Sequence, residues 1–367
     1  MRANWFEWRH ATLADRKACQ ALIRQGSRSF FAASMLLPAY LRDPAYAIYA
    51  FCRIADDAVD DINADDQATV RLRERLDAAY NDTPMDDPCD RALADVIFRY
   101  DLPKPLFEAL IEGLEWDQTG RSYQTIENLH AYAARVASAV GTIMTCLMGR
   151  KSPETVARAC DLGVAMQLTN IARDVGEDAR NGRVYLPHDW LTEAGLSPNE
   201  LIADPKMSPE LGFVVKRLLD HADELYAQSR IGIAQLPSRS RPAINAARRI
   251  YAAIGDEIAK NGYDSINYRA YVTTRRKLTI ALAATGEAYM PCRKEQPLKL
   301  DETQFLVSAV KDHNHKNDSA FAGASSQIEF VISMIAVLDR RQRRRRAEAV
   351  AARHPSNKSE LASLSSD

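Results

Sequence analysis

The sequence predicts an all-α fold. Apolar residues recur at helical spacing through most of the first 290 positions, and no strand–helix–strand alternation interrupts them. Glycines and prolines mostly stand between these periodic stretches. In chain order, the first helical stretch covers about 12–33 and closes before Pro38. The next cover about 43–62 and 66–80, the latter ending before Pro84. Residues 90–100 lie between Pro88 and Pro103, and 104–119 end at Gly120. Stretches at 127–149 and 153–179 follow, the second stopped by Asn181-Gly182. In 211–228 the pattern is clearest, with Val214, Leu218, Leu225 and Tyr226 at helical spacing and charges between. Stretches at 241–262, after Pro237, and 268–289 complete the series. A single helical domain over 1–290 is therefore expected, followed by a polar, basic, partly disordered tail over 291–367.

Composition narrows the function. Hydrophobic residues make up 46% of the chain, enough for a sizeable core, and the net charge of −1 leaves no overall field for nucleic acid or acidic lipid. The six cysteines (Cys19, Cys52, Cys89, Cys146, Cys160 and Cys292) lack CxxC or CxH spacing, which speaks against a zinc site or disulfide framework and suits a reducing compartment. The N-terminus mixes charges and has no apolar core of a signal peptide. The apolar stretches near 136–149 and 330–338 are shorter than the roughly 20 residues that a spanning helix needs. A cytoplasmic protein is expected, with peripheral contact at the inner face of the membrane as an option. In the tail, "RRQRRRR" (340–346) follows a short apolar segment. Its plain reading is a solvated segment, contact with anionic lipid is an alternative, and the neutral bulk charge disfavours nucleic acid.

Two acidic stretches interrupt the apolar helices. "FCRIADDAVDDI" (51–62) puts Asp56, Asp57, Asp60 and Asp61 within six positions, and like charges four apart on a helix repel by about 0.2–0.5 kcal/mol per pair. Asp56 and Asp60 share a face, with Arg53 one turn back. In "QLTNIARDVGEDARNGRVYLP" (167–187), Asn170, Asp174 and Asp178 lie four apart on one face, and Gln167 extends it. For an isolated DxxxD, a solvated face paired with Lys or Arg is the ordinary explanation. Here both rows sit in strongly apolar contexts, where unpaired carboxylates are costly to bury. Rows of oxygen donors suit magnesium or manganese, which use a few carboxylates together with substrate phosphate oxygens. Facing rows could hold divalent ions with a diphosphate between them, and the cations would offset the repulsion.

These stretches resemble the two aspartate-rich signatures of the squalene/phytoene synthase family. The resemblance covers about residues 18–290 and includes "GSRSFFAASMLLP" (26–38), "AIYAFCRIADDAVDD" (47–61), "IEGLEWDQ" (111–118), "YAARVASAVGTIM" (132–144) and "IYAAIGDEI" (250–258). Within the family the chain is most like bacterial phytoene-forming members. The resemblance implies an isoprenoid-synthase helical fold with a central cavity. It implies head-to-head condensation of two geranylgeranyl diphosphates, through prephytoene diphosphate, to phytoene. Mg²⁺ or Mn²⁺ would be required and NADPH would not. Asp56, Asp60, Asn170, Asp174 and Asp178 match the metal rows. Arg53, Ser27, Arg183, Tyr185 and Arg269 match diphosphate-side positions, and Tyr251 matches a late-helix tyrosine. The basic cluster Arg275–Lys277 matches loosely. Arg135 and Ser138 depart from the usual form of their segment. Phe30, Phe51, Tyr49, Met144 and Met148 are candidate cavity lining.

The seven histidines form no HxxxH or HExxH arrangement, and neither GxGxxG nor GxxxxGK[ST] is present. Three alternatives stay open: a squalene or dehydrosqualene synthase acting on farnesyl diphosphate, a non-catalytic helical assembly protein, and a basic-tailed nucleic-acid binder.

Overall fold

Helix α1 (Leu13–Gly26) starts at a capping box, in which the Thr12 hydroxyl accepts from the Asp15 N–H and the Asp15 carboxylate accepts from the Thr12 N–H. Asp15 is buried and also accepts from Arg91 at 2.7 Å, and that contact holds its carboxyl well below the ordinary range. The computed structural model describes residues 8–60, 67–290 and 300–322, apart from the side chains of Arg28, Asp60 and residues 316–322.

The stretch expected as one helix over 12–33 is two. At Ser27 the backbone is extended (φ −146°, ψ 97°), and α2 (Arg28–Ser34) restarts with the Ser27 hydroxyl accepting from the Phe30 N–H. The break lies beside α3 (Ala39–Asp60). A Cβ on Gly26 would stand 2.4 Å from the Tyr49 hydroxyl oxygen, so only glycine admits that approach.

Helices α4 (Ala68–Tyr80), α5 (Pro88–Tyr100) and α6 (Lys104–Gln118) follow the predicted spans. α5 has proline at its first position and Asp87 capping it, both favoured at a helix start. The rod expected over 127–149 is α7 (Ile126–Ala133) and α8 (Ala139–Leu147), joined by a π-helical turn at Ala134–Ser138. α9 (Pro153–Arg180) is capped by Ser152. Two short helices that the pattern does not foretell, α10 (His188–Glu193) and α11 (Pro198–Ala203), precede α12 (Pro209–Gln235). α13 (Arg241–Lys260) and α14 (Thr274–Glu287) follow.

Helix α15 (Gln304–Ala322) lies where the sequence reading places no element, and its Leu306 and Val310 are buried one turn apart in the core. The chain divides into two units, Met1–Lys311 and Asp312–Asp367. Of the second, only the helical residues 312–322 are described, and the arginine run at 340–346 lies outside the described residues.

Among the described residues there is no strand, and no helix is long and apolar enough to cross a membrane. The apolar core forms two clusters. One is built from α1, α3, α4, α5, α6 and α8, with Leu41, Leu76, Leu106 and Phe107 fully enclosed. The other is built on α7, α9, α12 and α13, with α9 and α12 packed along one another. Each enclosed leucine contributes about 1.5–3 kcal/mol through surface removed from water. Phe51, expected as cavity lining, packs edge-to-face on Phe107 at 5.6 Å inside the first cluster and does not reach the cavity. The five described cysteines are all free thiols.

Candidate active site

A cavity of about 350 Å³ runs among α2, α3, α8, α9, α12 and α13. Its walls are mostly apolar, with Phe30, Ile48, Met144, Met148, Leu162 and Met166 among them. Along α9 it extends from Thr155 to Asn170, and at 1.5 Å per residue that is roughly 20 Å. Gln167 and Asn170, which begin the second acidic row, lie at one end, and Tyr49 and Cys52, two turns and one turn before Asp56 of the first row, also line it. Among the described residues the aspartates themselves do not line it, but Tyr49 and Tyr251 in the wall lie within reach of the charges of Asp56 and Asp174, so α3 and α9 carry the two rows beside this cavity.

The rows differ in their surroundings. On α3, Arg53 donates to Asp56 at 3.3 Å and to Asp57 at 3.1 Å, and all three side chains are about half exposed. The Asp60 side chain lies outside the described residues, as does Asp61. On α9, Asp174 is mostly buried and accepts from Arg173 and from Arg269, each at 2.8 Å. Arg269 reaches it on a loop that can approach because residue 176 is glycine. The Gly176 N–H donates to the Ser265 carbonyl at 2.9 Å, and a Cβ there would stand 2.6 Å from the Ile266 carbonyl oxygen. Arg173 and Arg269 thus offset the charge of Asp174, as Arg53 offsets that of Asp56 and Asp57.

One turn on, the Asp178 carboxyl is pushed up to about 7 by burial first and then by the neighbouring Asp174 and Glu177 charges. Asn170 donates to Gln167 at 3.4 Å.

Past the Asn181-Gly182 turn, Arg183 comes back toward Asp178, and its charge opposes that rise. Tyr185 donates to Asp117 at 2.7 Å, and Tyr132 donates to the other oxygen of the same carboxylate at 2.8 Å. The rings of Tyr123, Tyr132 and Tyr185 stack with centroids 5.2–5.9 Å apart. Tyr251 stacks on Phe30 at 5.2 Å, lines the cavity, and is pushed up to about 12 by burial. Ser27 uses its hydroxyl oxygen as the α2 cap beside Tyr49. The cluster Arg275–Lys277 does not join this group as a unit, since Arg276 pairs with Asp256 at 2.8 Å, away from the chamber.

Sequence reasoning missed Asp117, Tyr132 and Arg173. All three lie inside or beside segments that it singled out, but neither spacing nor composition says which member of "IEGLEWDQ" points inward. It also missed a buried pair of which one member, Arg158, lines the cavity. Arg158 and Asp161 are 4% and 1% exposed and meet at 2.7 Å, and Arg158 donates to Gln228 at 2.8 Å. The two departing residues are absorbed structurally. Arg135 pairs with Glu112 at 2.9 Å and lies over the Trp116 ring, and Ser138 donates to the Cys160 carbonyl at 2.7 Å.

The donor set suits a hard divalent cation. Asn170, Asp174, Asp178 and Asp56 offer only oxygen, and the acidic crowding that raises Asp178 is what such an ion relieves. Among the described residues, no three His, Cys, Asp or Glu side chains converge on a single point.

An all-helical shell around an apolar chamber, with acidic rows on two helices beside it, defines the isoprenoid-synthase class of fold. The family model "Squalene/phytoene synthase" matches residues 23–276, and the chain belongs to that family. A phytoene synthase of Cereibacter sphaeroides is 47% identical over 91% of this chain and 97% of its own length. One of Rhodobacter capsulatus is 48% identical over 82% of this chain and 91% of its own. The crystal structure of a dehydrosqualene synthase with a ligand superposes with a TM-score of 0.69 at 30% identity, covering 74% of this chain and 96% of that one.

Proposed function

We propose that this chain condenses two geranylgeranyl diphosphates head to head, through prephytoene diphosphate, to phytoene in carotenoid biosynthesis. The observation that carries the reading is a long apolar cavity whose wall residues Tyr49 and Tyr251 stand within electrostatic reach of Asp56 and Asp174, one aspartate from each acidic row. The relatives named phytoene synthase, matched over most of both chains, favour the twenty-carbon substrate.

The residues divide by chemistry. Asp56, Asp60, Asn170, Asp174 and Asp178 would hold Mg²⁺ or Mn²⁺. Such ions, when bound, supply Lewis-acid stabilisation of the leaving diphosphate, worth several kcal/mol. Arg53 offers a planar fork of donors matched to phosphate oxygens, and Arg269 and Arg183 supply further positive charge at the same end. The hydroxyls of Ser27 and Tyr185 add polar contacts there. Tyr251 and Phe30 present aromatic surface where allylic cations form, and the apolar walls exclude the water that would quench them.

The first ionisation releases one diphosphate, the cation is captured by the second substrate's double bond, and loss of a proton closes the cyclopropane. The cyclopropyl intermediate then loses the other diphosphate, rearranges and gives up a proton. That sequence is redox-neutral, so no NADPH is consumed. Substrate and product are both greasy, which favours peripheral contact with the inner face of a membrane from the cytoplasm.

Incubation with geranylgeranyl diphosphate and Mg²⁺, followed by hydrocarbon analysis, tests the reading. Phytoene without added NADPH is expected. A product formed only from farnesyl diphosphate would reassign the chain to the squalene or dehydrosqualene branch, and no product from either would favour an assembly role.

A further inference from the structure

Helices α12, α13 and α14 enclose a second concavity, of about 420 Å³, that shares no lining residue with the central cavity. Its charged lining is Arg230 of α12, Arg248, Arg249 and Asp256 of α13, and Arg276 and Glu287 of α14. The local charge is only partly balanced. Arg249 pairs with Glu287, and Arg276 pairs with Asp256 and Glu257. Neither Arg230 nor Arg248 has a carboxylate partner among the described residues.

Arg248 is nevertheless held in place. Its Nε donates to the Asn245 Oδ1 at 3.0 Å, and the buried Asn245 is itself fixed by donating to the Ala284 carbonyl at 2.9 Å. Burial and the adjacent Arg230 and Arg249 charges push Arg248 down to about 10. Like charges are thus packed side by side in a hollow, with one guanidinium rigidly mounted. An anion with several acceptor oxygens would offset that repulsion and match the guanidinium fork.

We propose that this concavity is a binding site for a phosphate-type anion, with Arg230 and Arg248 as its principal donors. Two sources share this chemistry: free diphosphate, which the proposed reaction releases, and the headgroup of an anionic phospholipid. The rim suits a headgroup as well as a free ion. Ile280 and Met290 line the hollow and give its margin an apolar part.

The test uses the full chain in chelator-treated buffer, with wild type compared against Arg230→Gln and Arg248→Gln. One arm titrates inorganic diphosphate by calorimetry. The other floats the protein with phosphatidylcholine vesicles with and without phosphatidylglycerol. Each substitution is expected to weaken binding about tenfold, since a charge-assisted contact is lost. Weakening confined to the calorimetric arm assigns the site to the free anion, and weakening confined to the vesicle arm assigns it to the headgroup. Arg230 is exposed, so its variant should keep the wild-type helical circular-dichroism signal and phytoene-forming rate. Variants that match wild type in both arms overturn the proposal. So does diphosphate binding that survives Arg230→Gln and Arg248→Gln but is lost in Arg53→Gln, because the anion would then sit at the acidic rows. An inactive chain that still binds the anion through Arg230 would overturn the proposed function and leave this site standing.

Discussion

Helix α9 carries two aspartates raised to about 7, Asp161, paired with Arg158 of the cavity wall, and Asp178 at the acidic end, and their causes differ. Asp161 is raised by burial alone, and Arg158 opposes the shift. Asp178 is raised by burial together with other carboxylates. A shifted proton affinity is therefore no signature of function by itself. What separates the two is the sign of the neighbouring charge. Asp161 is matched by a single buried arginine, whereas Asp178 sits among further carboxylates, a crowding that an added cation would relieve.

The comparison can be broken most sharply at the acidic end. Asp174→Asn should reduce product formation by about a thousandfold or more, the scale of losing a principal electrostatic stabiliser. Its helical circular-dichroism signal should persist. Near-normal turnover in Asp174→Asn and Asp56→Asn would refute the metal assignment.

At the cavity wall the expected effect is on stability. Arg158→Leu leaves Asp161 buried and alone and should cost about 3–5 kcal/mol in denaturant unfolding. The double variant with Asp161→Leu should recover most of that loss, because the pair is a coupled unit.

A smaller effect separates the ends by pH. Each raised carboxyl binds its proton more tightly in the folded chain, so stability should fall as pH rises from the ordinary 3.8 through about 7. Asp178→Asn should remove one share of this decline. Mg²⁺ should suppress the Asp178 share and leave that of Asp161 intact, as read from unfolding midpoints across that range. Equal responses of both shares to Mg²⁺ would erase the distinction. Smallest of all, Tyr185→Phe should slow turnover about fivefold through one lost hydrogen bond to Asp117, about 1 kcal/mol.

Much of this was legible in one dimension. The 3.6-residue period located most of the long helices, and the i, i+4 spacing of Asn170, Asp174 and Asp178 identified their common face without coordinates. Short elements such as α10 and α11 span too few turns for periodicity to register. α15 was missed because Leu306, Val307 and Val310 form a brief apolar signal inside a polar stretch. The break at Ser27 was hidden because the apolar period runs through it, and the close approach of Tyr49 to Gly26 beside it involves another helix.

The sequence by itself determined the helical class, the two acidic rows and the family, since each is written in local spacing along one chain. Only the tertiary structure decided that Arg269 reaches Asp174, that Asp117 gathers two tyrosine hydroxyls, that Arg158 and Asp161 are buried together, and that Arg230 and Arg248 share a hollow. Apart from the Arg158–Asp161 pair, these contacts join residues far apart in the chain, and burial is set by what packs around a side chain rather than by its neighbours in sequence.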